Sequence, residues 1–331
     1  MPPIISVNHL SKTYRVPQRD PGLRAALRSL TQPQFQAVEA VKNISFSIQP
    51  GDMVALIGPN GAGKTTTLKM LTGLLHPSSG EIEVNGFTPG KRGYDFLSQI
   101  SIVLGNKSQM LWDIPPLDTF NVLGEIYRVP KEILKQRINE MVALLDMFEI
   151  LRKPVRNLSL GERMKCELVA SLLHQPKVLF LDEPTLGLDI SIQNRLRTFI
   201  LEYNQRYQAT ILLTSHYMAD IERLCQRVIL IHHGEILYDG ALNGLSFLLT
   251  NSKIIRLTLN EELSFDDNAN WLPEGAEIIE RNHHNFTLRV NRNRTAAITS
   301  ELLKRLSISD LAIEEPALEA VIDRVYQEGT L

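Results

Sequence analysis

Short runs of consecutive apolar residues alternate along the chain with segments in which apolar residues recur at helical spacing. The runs include 53–57, 178–181 and 210–213, and a helical pattern over 191–206 separates the last two. Continuous apolar runs are typical of strands that a parallel sheet buries on both faces, with helices as the crossovers. The pattern therefore predicts an α/β core with a mainly parallel sheet covered by helices.

Two further regions accompany this core. Apolar and polar side chains alternate over 44–48, and another strand is predicted over 81–84, which gives the N-terminal part a β-rich character. Residues 118–148 and 162–174 show helical periodicity. We therefore expect a helical insertion over about residues 107–170.

A change of pattern near Gly240 predicts a second domain. A hairpin is expected over 228–238, so that the first domain spans residues 1–240 and the second spans residues 241–331. The second domain is predicted to be a small α+β unit with strands over 254–259, 286–290 and 310–314 and helices over 295–306 and 316–326.

Composition narrows the class of protein. With 331 residues, a net charge of −2 and 22% charged residues, the chain lacks the positive charge typical of a protein that binds nucleic acid. No run is long and apolar enough to cross a bilayer, the first residues do not resemble a signal peptide, and the two cysteines suit a reducing compartment. These features predict a cytoplasmic enzyme without a nucleic-acid partner.

The residues that follow the apolar run 53–57 match the phosphate loop Gly-x-x-x-x-Gly-Lys-Thr, and a helical pattern comes next. Glycines let backbone N–H groups turn towards a phosphate, and the following helix directs its positive end at the same point. Lys64 can reach the β- and γ-phosphates, and the Thr65 hydroxyl can bind Mg²⁺. The alternative is a Gly-rich turn without a ligand. The predicted nucleotide-binding residues of this loop are Gly58, Pro59, Asn60, Gly61, Ala62, Gly63, Lys64, Thr65 and Thr66.

Two carboxylates, Asp182 and Glu183, come at the end of the apolar run that starts at Val178. A buried parallel strand carries its last residues to the sheet edge where the phosphate loop also lies. Asp182 can hold Mg²⁺ through water, and Glu183 can orient and deprotonate an attacking water. Capping of the next helix by the two acids is the alternative, and the phosphate loop upstream disfavours it.

Ser159 and Glu162 have the Ser-x-x-Glu spacing of a capping box. By itself this spacing indicates only a well-capped helix over 162–174. The capping box lies shortly before Asp182, however, and in this order the motifs resemble those of the ATP-binding subunits of ABC transporters, whose signature sequence is usually LSGGQ. The resemblance covers about residues 4–240.

Other elements of that family follow along the chain. Asp189 ends the segment Leu186–Asp189, which resembles the loop that signals between protomers, and His216 resembles the switch histidine that acts beside the catalytic residue Glu183. Tyr14 resembles the aromatic residue that stacks on adenine. The resemblance therefore adds these residues to the nucleotide site: Tyr14, Ser159, Gly161, Glu162, Asp189 and His216.

The resemblance implies a RecA-like P-loop fold and an ATPase that uses ATP and Mg²⁺. Two copies of the chain, or one copy and a homologous ATP-binding subunit, would enclose two ATP molecules and drive integral membrane permease subunits. Residues 161–165, 214–220 and 107–113 resemble subunits whose permeases are separate chains, chiefly exporters, and 310–319 resembles the accessory domain of such exporters. We therefore expect an exporter subunit on the inner face of the cell membrane, held there by its permease.

The chain departs from the family pattern at several positions. The family has a glutamine, that of its Gln loop, in this part of the chain. Counting forward from Ile100 places Gly105 at that position, and counting back from Asp113 places Asn106 there. Gln109 is the nearest glutamine. Asn106 is therefore the candidate Mg²⁺ ligand of this loop. Leu160 replaces a glycine of the signature, and Glu162 replaces its glutamine.

The segment 16–37 is an insertion relative to the family pattern. It is rich in arginine, and residues 23–28 have the pattern of a short amphipathic helix. A solvated surface loop is the favoured interpretation, and a contact with the permease or with anionic lipid headgroups is the alternative.

Met110, Leu111 and Trp112 form an apolar run on the predicted loop before the helical insertion. Such a run is an unusual choice for a loop that faces solvent. Either at least one of the three side chains docks the permease, or the run belongs to the core of the helical part.

A soluble ABC ATPase that acts in translation or DNA repair is the competing hypothesis. Translation-type members resemble two tandem cassettes, and repair-type members carry a long coiled coil between phosphate loop and signature, whereas this chain has one cassette and a short segment there. A carbohydrate-exporter subunit is a third hypothesis. Residues 241–331 are few for its usual sandwich domain, and they contain predicted helices.

Overall fold

The computed structural model of the chain describes residues 2–18, 34–105, 107–249, 251–261, 271–316 and 322. Of residue 34 and residues 246–249 it describes the backbone. The chain divides into two compact units, Met1–Gly240 and Ala241–Leu331.

As far as residue 241, the described strands and helices are, in chain order, β1 (Ile5–Gln18), β2 (Gln34–Ile48), β3 (Met53–Ile57), α1 (Lys64–Leu71), β4 (Ser79–Val84), α2 (Tyr94–Leu97), β5 (Ile100–Leu104), α3 (Pro116–Ile126), α4 (Lys131–Leu145), α5 (Leu160–Leu172), β6 (Val178–Asp182), α6 (Ile190–Tyr207), β7 (Thr210–Thr214), α7 (Met218–Leu224), β8 (Arg227–His232) and β9 (Glu235–Ala241).

A six-stranded sheet forms the centre of the first unit, in the order β5-β6-β7-β3-β8-β9. The five strands from β5 to β8 run parallel, and β9 lies beside β8 after a tight turn. Every residue of β3, β6 and β7 is buried, which explains the continuous apolar runs in the sequence. The predicted α/β fold with a parallel sheet is confirmed.

A second sheet of the first unit is antiparallel and has the order β2-β1-β4. Its inward side chains, such as Val7 and Phe46, join Val54, Leu68 and Phe180 in one hydrophobic cluster. Burial of each large side chain of this kind stabilises the fold by about 1.5–3 kcal/mol. The shared cluster therefore fixes this sheet against the parallel sheet and α1.

The ends of the inserted segment 16–37 differ from the surface loop that we expected. β1 extends to Gln18 and β2 begins at Gln34, and the ladder pairs Tyr14 with Val38 and Gln18 with Gln34. The described ends are strands because they continue a backbone ladder that starts inside the sheet. The predicted helix over 23–28 lies outside the described residues.

The helices α3, α4 and α5 lie within the predicted helical insertion, and they bury side chains such as Phe120, Leu134 and Ile138. α3 has proline at its start, where the missing N–H removes no helical hydrogen bond. No helix among the described residues combines the length and apolar character needed to cross a membrane.

The second unit contains α8 (Leu242–Leu249), β10 (Ser252–Leu259), β11 (Ala276–Arg281), β12 (Asn285–Asn291), α9 (Thr295–Arg305) and β13 (Ile308–Glu314). The strands form an antiparallel sheet in the order β11-β12-β10-β13, and Leu288 and Ile298 belong to its hydrophobic cluster.

Two elements of the second unit, α8 and β11, were not predicted. α8 is only eight residues long and mixes apolar residues with Asn243, Gly244 and Ser246, and most of β11 is exposed. Of the helix predicted over 316–326, residue 316 is not helical and residue 322 is, while the others lie outside the described residues.

Candidate active site

The phosphate loop connects β3 to α1 at the carboxyl edge of the parallel sheet. Gly63 precedes α1 with a φ of 108°, a left-handed conformation that glycine adopts without strain. A Cβ at this position would lie 2.5 Å from the carbonyl oxygen of Ala40, so β2 leaves no room for a side chain. Both the turn and its packing therefore require glycine.

Lys64 is the first residue of α1, and only 6% of its surface is exposed. Its Nζ donates hydrogen bonds to the carbonyl oxygens of Gly58 at 2.6 Å and of Pro59 at 3.1 Å. Burial lowers the pKa of Lys64, and the carboxylates of Glu183 and Asp182 oppose that shift. The ammonium group thus lies inside the loop, where phosphate oxygens would replace its carbonyl partners.

Asp182 ends β6, and its carboxylate accepts hydrogen bonds from two hydroxyl groups. Thr65 Oγ1 donates to Asp182 Oδ2 at 3.0 Å, and Thr214 Oγ1 donates to Asp182 Oδ1 at 2.7 Å. Mg²⁺ prefers a few protein oxygens together with phosphate and water, so Thr65 and Asp182 fit a Mg²⁺ site. Thr214 was not among the predicted site residues, although its place at the end of the apolar run before His216 is a usable signal.

Glu183 and His216 form the second part of this edge. His216 Nε2 lies 2.8 Å from Glu183 Oε1, and the two side chains are 36% and 22% exposed. Glu183 has a φ of 54°, which is uncommon for a residue other than glycine, and its N–H donates to the carbonyl and hydroxyl oxygens of Thr214. Such backbone strain is concentrated at functional sites. The backbone of Glu183 is therefore tied to Thr214, and both side chains of the pair remain partly exposed.

Ser159 is the N-cap of α5, and the capping box is present as predicted. The N–H of Ser159 donates to Glu162 Oε2 at 2.8 Å, and the N–H of Glu162 donates to Ser159 Oγ at 3.2 Å. The hydrogen bond from the Ser159 backbone lowers the pKa of the Glu162 carboxyl. The start of α5 is thus well ordered and exposed.

Asp189 caps α6, because Ile192 N donates to Asp189 Oδ1 at 2.9 Å. Gly161 packs against Ile192 as well, since a Cβ on Gly161 would lie 2.2 Å from Ile192 Cδ1. Ile192 therefore joins the starts of α5 and α6 within one protomer. Three large apolar side chains close to them in sequence are exposed, namely Leu160, Leu186 and Ile190.

The remaining predicted residues are not all brought together. Tyr14 is half-buried on β1, with Lys12 Nζ 5.4 Å from the centre of its ring. No hydrogen bond or ion pair of the described residues joins Ser159 to the phosphate loop. Asn106 lies outside the described residues, and the Gln109 Nε2 donates to the backbone carbonyl of Glu167 at 3.4 Å.

The apolar run on the loop before α3 divides between core and surface. Met110 is buried, whereas Leu111 and Trp112 are 48% and 50% exposed. The guanidinium carbon of Arg163 lies 5.3 Å from the centre of the Trp112 ring, a cation–π distance. Core placement is therefore correct for Met110 and wrong for the other two side chains.

A buried network next to the site was also missed by the sequence analysis. Arg197 Nε donates to Asp220 Oδ1 at 2.5 Å, and both side chains are almost fully buried. The hydroxyls of Thr185 and Ser215 donate to Asp220 Oδ2 at 2.5 and 2.6 Å. The network ties the loops that follow β6 and β7 to α6. No local sequence motif predicts this network, because its members come from four separate elements.

This fold and this sheet edge define the class of the molecule: it is an α/β protein with a P-loop, built to bind a nucleotide at the carboxyl ends of parallel strands. The family model described as ABC transporter matches residues 41–186. A second model, the C-terminal domain of EvrA-like ABC transporters, matches residues 251–314.

Curated relatives identify the family. The ABC transporter ATP-binding protein NatA of Bacillus subtilis is 36% identical over 214 residues, which cover 65% of this chain and 87% of the relative. The linearmycin resistance ATP-binding protein LnrL of Bacillus subtilis is 34% identical over 223 residues, which cover 66% of this chain and 70% of the relative. The chain belongs to the ATP-binding proteins of ABC transporters, and it is an ATPase that binds ATP.

Solved structures agree on the fold. The structure of an ATP-binding subunit of an ABC transporter has a TM-score of 0.62 and 24% identity, and the match covers 74% of this chain and 92% of that one. A dimeric ATP-binding cassette in a post-hydrolysis state, bound to ADP and Pi, has a TM-score of 0.59 and 20% identity. The match covers 72% of this chain and 98% of that one.

Proposed function

We propose that the chain dimerises around two ATP molecules and drives separate integral membrane permease subunits, in the direction of export. One observation carries the proposal. The phosphate loop, Asp182 and the pair Glu183–His216 meet at one sheet edge, whereas Ser159 and Asp189 are exposed N-caps that form no hydrogen bond or ion pair with that edge among the described residues. An exposed helix N-terminus of this kind suits a phosphate of a partner's nucleotide.

In the proposed site, the phosphate loop (residues 58–66) binds the phosphates through its backbone N–H groups, and Lys64 pairs with the β- and γ-phosphates. Thr65 and Asp182 would hold Mg²⁺, which supplies positive charge at the same phosphates. Asn106 stays a candidate for a further ligand. The hydrogen bond between Thr65 and Asp182 supports this assignment because it places both oxygens side by side.

Glu183 is proposed to accept a proton from the attacking water as that water forms a bond to the γ-phosphorus. The bond from the γ-phosphorus to the β–γ bridging oxygen breaks, and ADP leaves with the electron pair. His216 orients the Glu183 carboxylate through the 2.8 Å contact. Tyr14 is proposed to stack on adenine, and its half-buried ring on β1 supports that role.

The partner's nucleotide would meet the signature of this chain. Ser159 and the backbone of Gly161 point the positive end of α5 at the γ-phosphate, and Glu162 keeps that end ordered through the capping box. Asp189 would contribute from the start of α6. The exposed apolar side chains Leu160, Leu186 and Ile190 support an interface here, since contiguous exposed apolar residues mark interaction surfaces.

We assign residues 1–240 as the ATP-binding domain, with a helical insertion over about 107–170, and 241–331 as an accessory α+β domain. The match of 251–314 to an ABC transporter C-terminal domain supports this division. A relative named for linearmycin resistance supports export. The exposed Leu111 and Trp112 are the proposed contact with a permease, which would hold the chain at the inner face of the membrane.

The variant Glu183→Gln tests the catalytic assignment. Its amide has nearly the same shape as the carboxyl group but cannot accept the proton, so turnover should fall by about 10²–10⁴-fold while ATP affinity is kept. With ATP and Mg²⁺ the variant should elute as a dimer in size-exclusion chromatography, because opening requires hydrolysis. A monomer with wild-type turnover would contradict the proposal.

The variant Ser159→Arg tests the shared site. Its cation would occupy the position that the partner's γ-phosphate must reach, so the isolated chain should bind ATP normally and form no ATP-dependent dimer. Ser309→Arg adds the same charge at an exposed serine of the second unit and should behave like wild type. Normal hydrolysis by Ser159→Arg would show that the nucleotide is not shared between two chains.

A further inference from the structure

Glu167 is a buried carboxylate to which the mechanism gives no role. It lies on α5, about two helical turns after Ser159, and only 6% of its surface is exposed. A buried carboxylate is costly unless hydrogen bonds or a cation compensate it. Within the described residues, no lysine or arginine forms an ion pair with Glu167. Its partners must therefore be uncharged donors.

The loop that follows β5 supplies those donors. Ser108 Oγ donates to Glu167 Oε1, Gln109 N donates to Oε2 at 3.2 Å, and Met110 N donates to Oε1 at 3.4 Å. Gln109 Nε2 also donates to the backbone carbonyl of Glu167. Both carboxylate oxygens of Glu167 are thus occupied by three consecutive loop residues, and the buried side chain of Met110 closes the contact.

Burial raises the pKa of the Glu167 carboxyl, and the hydrogen bonds from Ser108, Gln109 and Met110 oppose that shift. The ionised form therefore depends on the loop being in place. If the loop moved away, Glu167 would lose its donors while still surrounded by the core.

The other end of the same loop lies at the active site. Gly105 N donates to the carbonyl oxygen of Asp182 at 3.0 Å, and the β5–β6 ladder pairs Leu104 with Asp182. Lys107 N donates back to Leu104 O at 3.1 Å. Residues 104 and 105 thus contact the acid of the proposed Mg²⁺ site, and residues 108–110 contact the side of α5.

We propose that Glu167 is a positioning residue that fastens the loop 107–112 to α5, so that the loop beside Asp182 and the helix start at Ser159 move as one body during the ATP cycle. This inference rests on the proposed function, because it assigns Ser159 to the nucleotide of a partner. Loading of a chain's own site would then change the position of its signature helix.

The experiment compares two hydroxyl hydrogen bonds that involve α5: one crosses from the exposed Ser108 to Glu167, and the other stays within the helix at the buried Ser171. Ser108→Ala removes the hydroxyl that crosses from the loop to Glu167, and Ser171→Ala removes a hydroxyl that donates to Leu168 O within the helix itself. Glu167→Gln is the third variant, since its amide cannot accept all the hydrogen bonds of the carboxylate. All are made in a Trp271→Phe background, in which Trp112 is the remaining tryptophan.

Trp112 lies on the same loop and is half-exposed, so its emission reports on the loop. In the background protein and in Ser171→Ala, ATP with Mg²⁺ should change Trp112 emission. In Ser108→Ala and Glu167→Gln the change in emission should be lost. Their kcat should fall about tenfold to a hundredfold, because the loop and α5 would no longer hold the reacting groups in position. KM for ATP and the melting temperature should stay close to those of Ser171→Ala.

A kcat within twofold of Ser171→Ala and an intact emission change in Ser108→Ala would overturn the inference. Equal losses of ATP affinity and melting temperature in Ser108→Ala and Ser171→Ala would also overturn it, because they show a purely structural role. If Glu167→Gln does not fold, Ser108→Ala decides alone. Absence of ATP hydrolysis in the background protein would instead contradict the proposed function.

Discussion

Two acid–base pairs lie on or beside the loops that follow β6 and β7, and they differ mainly in exposure. Glu183 and His216 are 2.8 Å apart with side chains 22% and 36% exposed, whereas Arg197 and Asp220 are 2.5 Å apart with side chains 6% and 1% exposed. The first pair is partly open to solvent. The second pair is enclosed and holds the same loops in place.

This difference in exposure predicts that the first pair affects the rate of hydrolysis and that the second pair affects the free energy of unfolding. Partly exposed charge pairs contribute little to folding because water screens them. Removal of one partner from a buried pair leaves an uncompensated charge in the interior. Mutation of the two pairs should therefore give opposite patterns in rate and stability.

Arg197→Ala should produce the largest effect. It leaves Asp220 buried without its cation, and the free energy of unfolding should fall by about 3–5 kcal/mol. Arg195→Ala is the matched control on the same helix, because Arg195 forms an exposed pair with Asp146 and its loss should cost under about 1 kcal/mol. Urea unfolding of both variants measures this, and equal losses would contradict the comparison.

His216→Ala should lower kcat by about a hundredfold, since Glu183 loses the group that orients it. The free energy of unfolding should change by less than about 1 kcal/mol, because the pair is partly exposed. Steady-state ATPase assays and urea unfolding measure the two quantities. In a Glu183→Gln background the same change should have almost no further effect on kcat, and additive losses would show that the residues act separately.

His174 extends the comparison to a buried histidine. Burial lowers its pKa from 6.5 to about 4, and its Nδ1 has no partner in the described structure. A lowered pKa means that the folded state disfavours the proton, so stability present above pH 6.5 is lost as pH falls towards 4. The loss at pH 5 relative to pH 7.5 should be about 2 kcal/mol.

His174→Phe keeps the aromatic stack on Tyr127 and removes the titration. Urea unfolding at pH 5 and pH 7.5 should give a smaller pH effect in this variant than in the wild-type chain. An identical pH effect in both proteins would show that His174 is not the group responsible.

Thr214→Val should lower the free energy of unfolding by about 1 kcal/mol, because it removes one buried hydroxyl. Its hydroxyl contacts Asp182 and the N–H of Glu183, so kcat should also fall, though less than in His216→Ala. Thr210→Val is the control at the other end of β7, where the hydroxyl accepts from Gly51 N. A similar fall of kcat in both variants would show that the Thr214 hydroxyl has no specific role at the active site.

Much of the nucleotide site was predictable because its parts are local. The phosphate loop and the Ser159–Glu162 capping box each depend on residues within one turn or loop, and the continuous apolar run before Asp182 marks a buried strand. Parallel strands end at a common edge, which brings Asp182 to the loop without knowledge of the register. The extended pairing of β1 with β2 was missed because the outer residues of both strands are exposed, and α8 was missed because it is only eight residues long.

Local sequence motifs were enough to predict the strand–loop–helix unit around Lys64, the acids at the end of β6 and the family to which they point. The hydrogen bond between Thr214 and Asp182, the ion pair between Arg197 and Asp220, and the exposure of Trp112 beside the buried Met110 follow instead from the packing of the folded chain. These contacts join elements that lie far apart along the chain. They depend on strand register and helix packing, which follow from the burial of the whole core and not from any local spacing of residues.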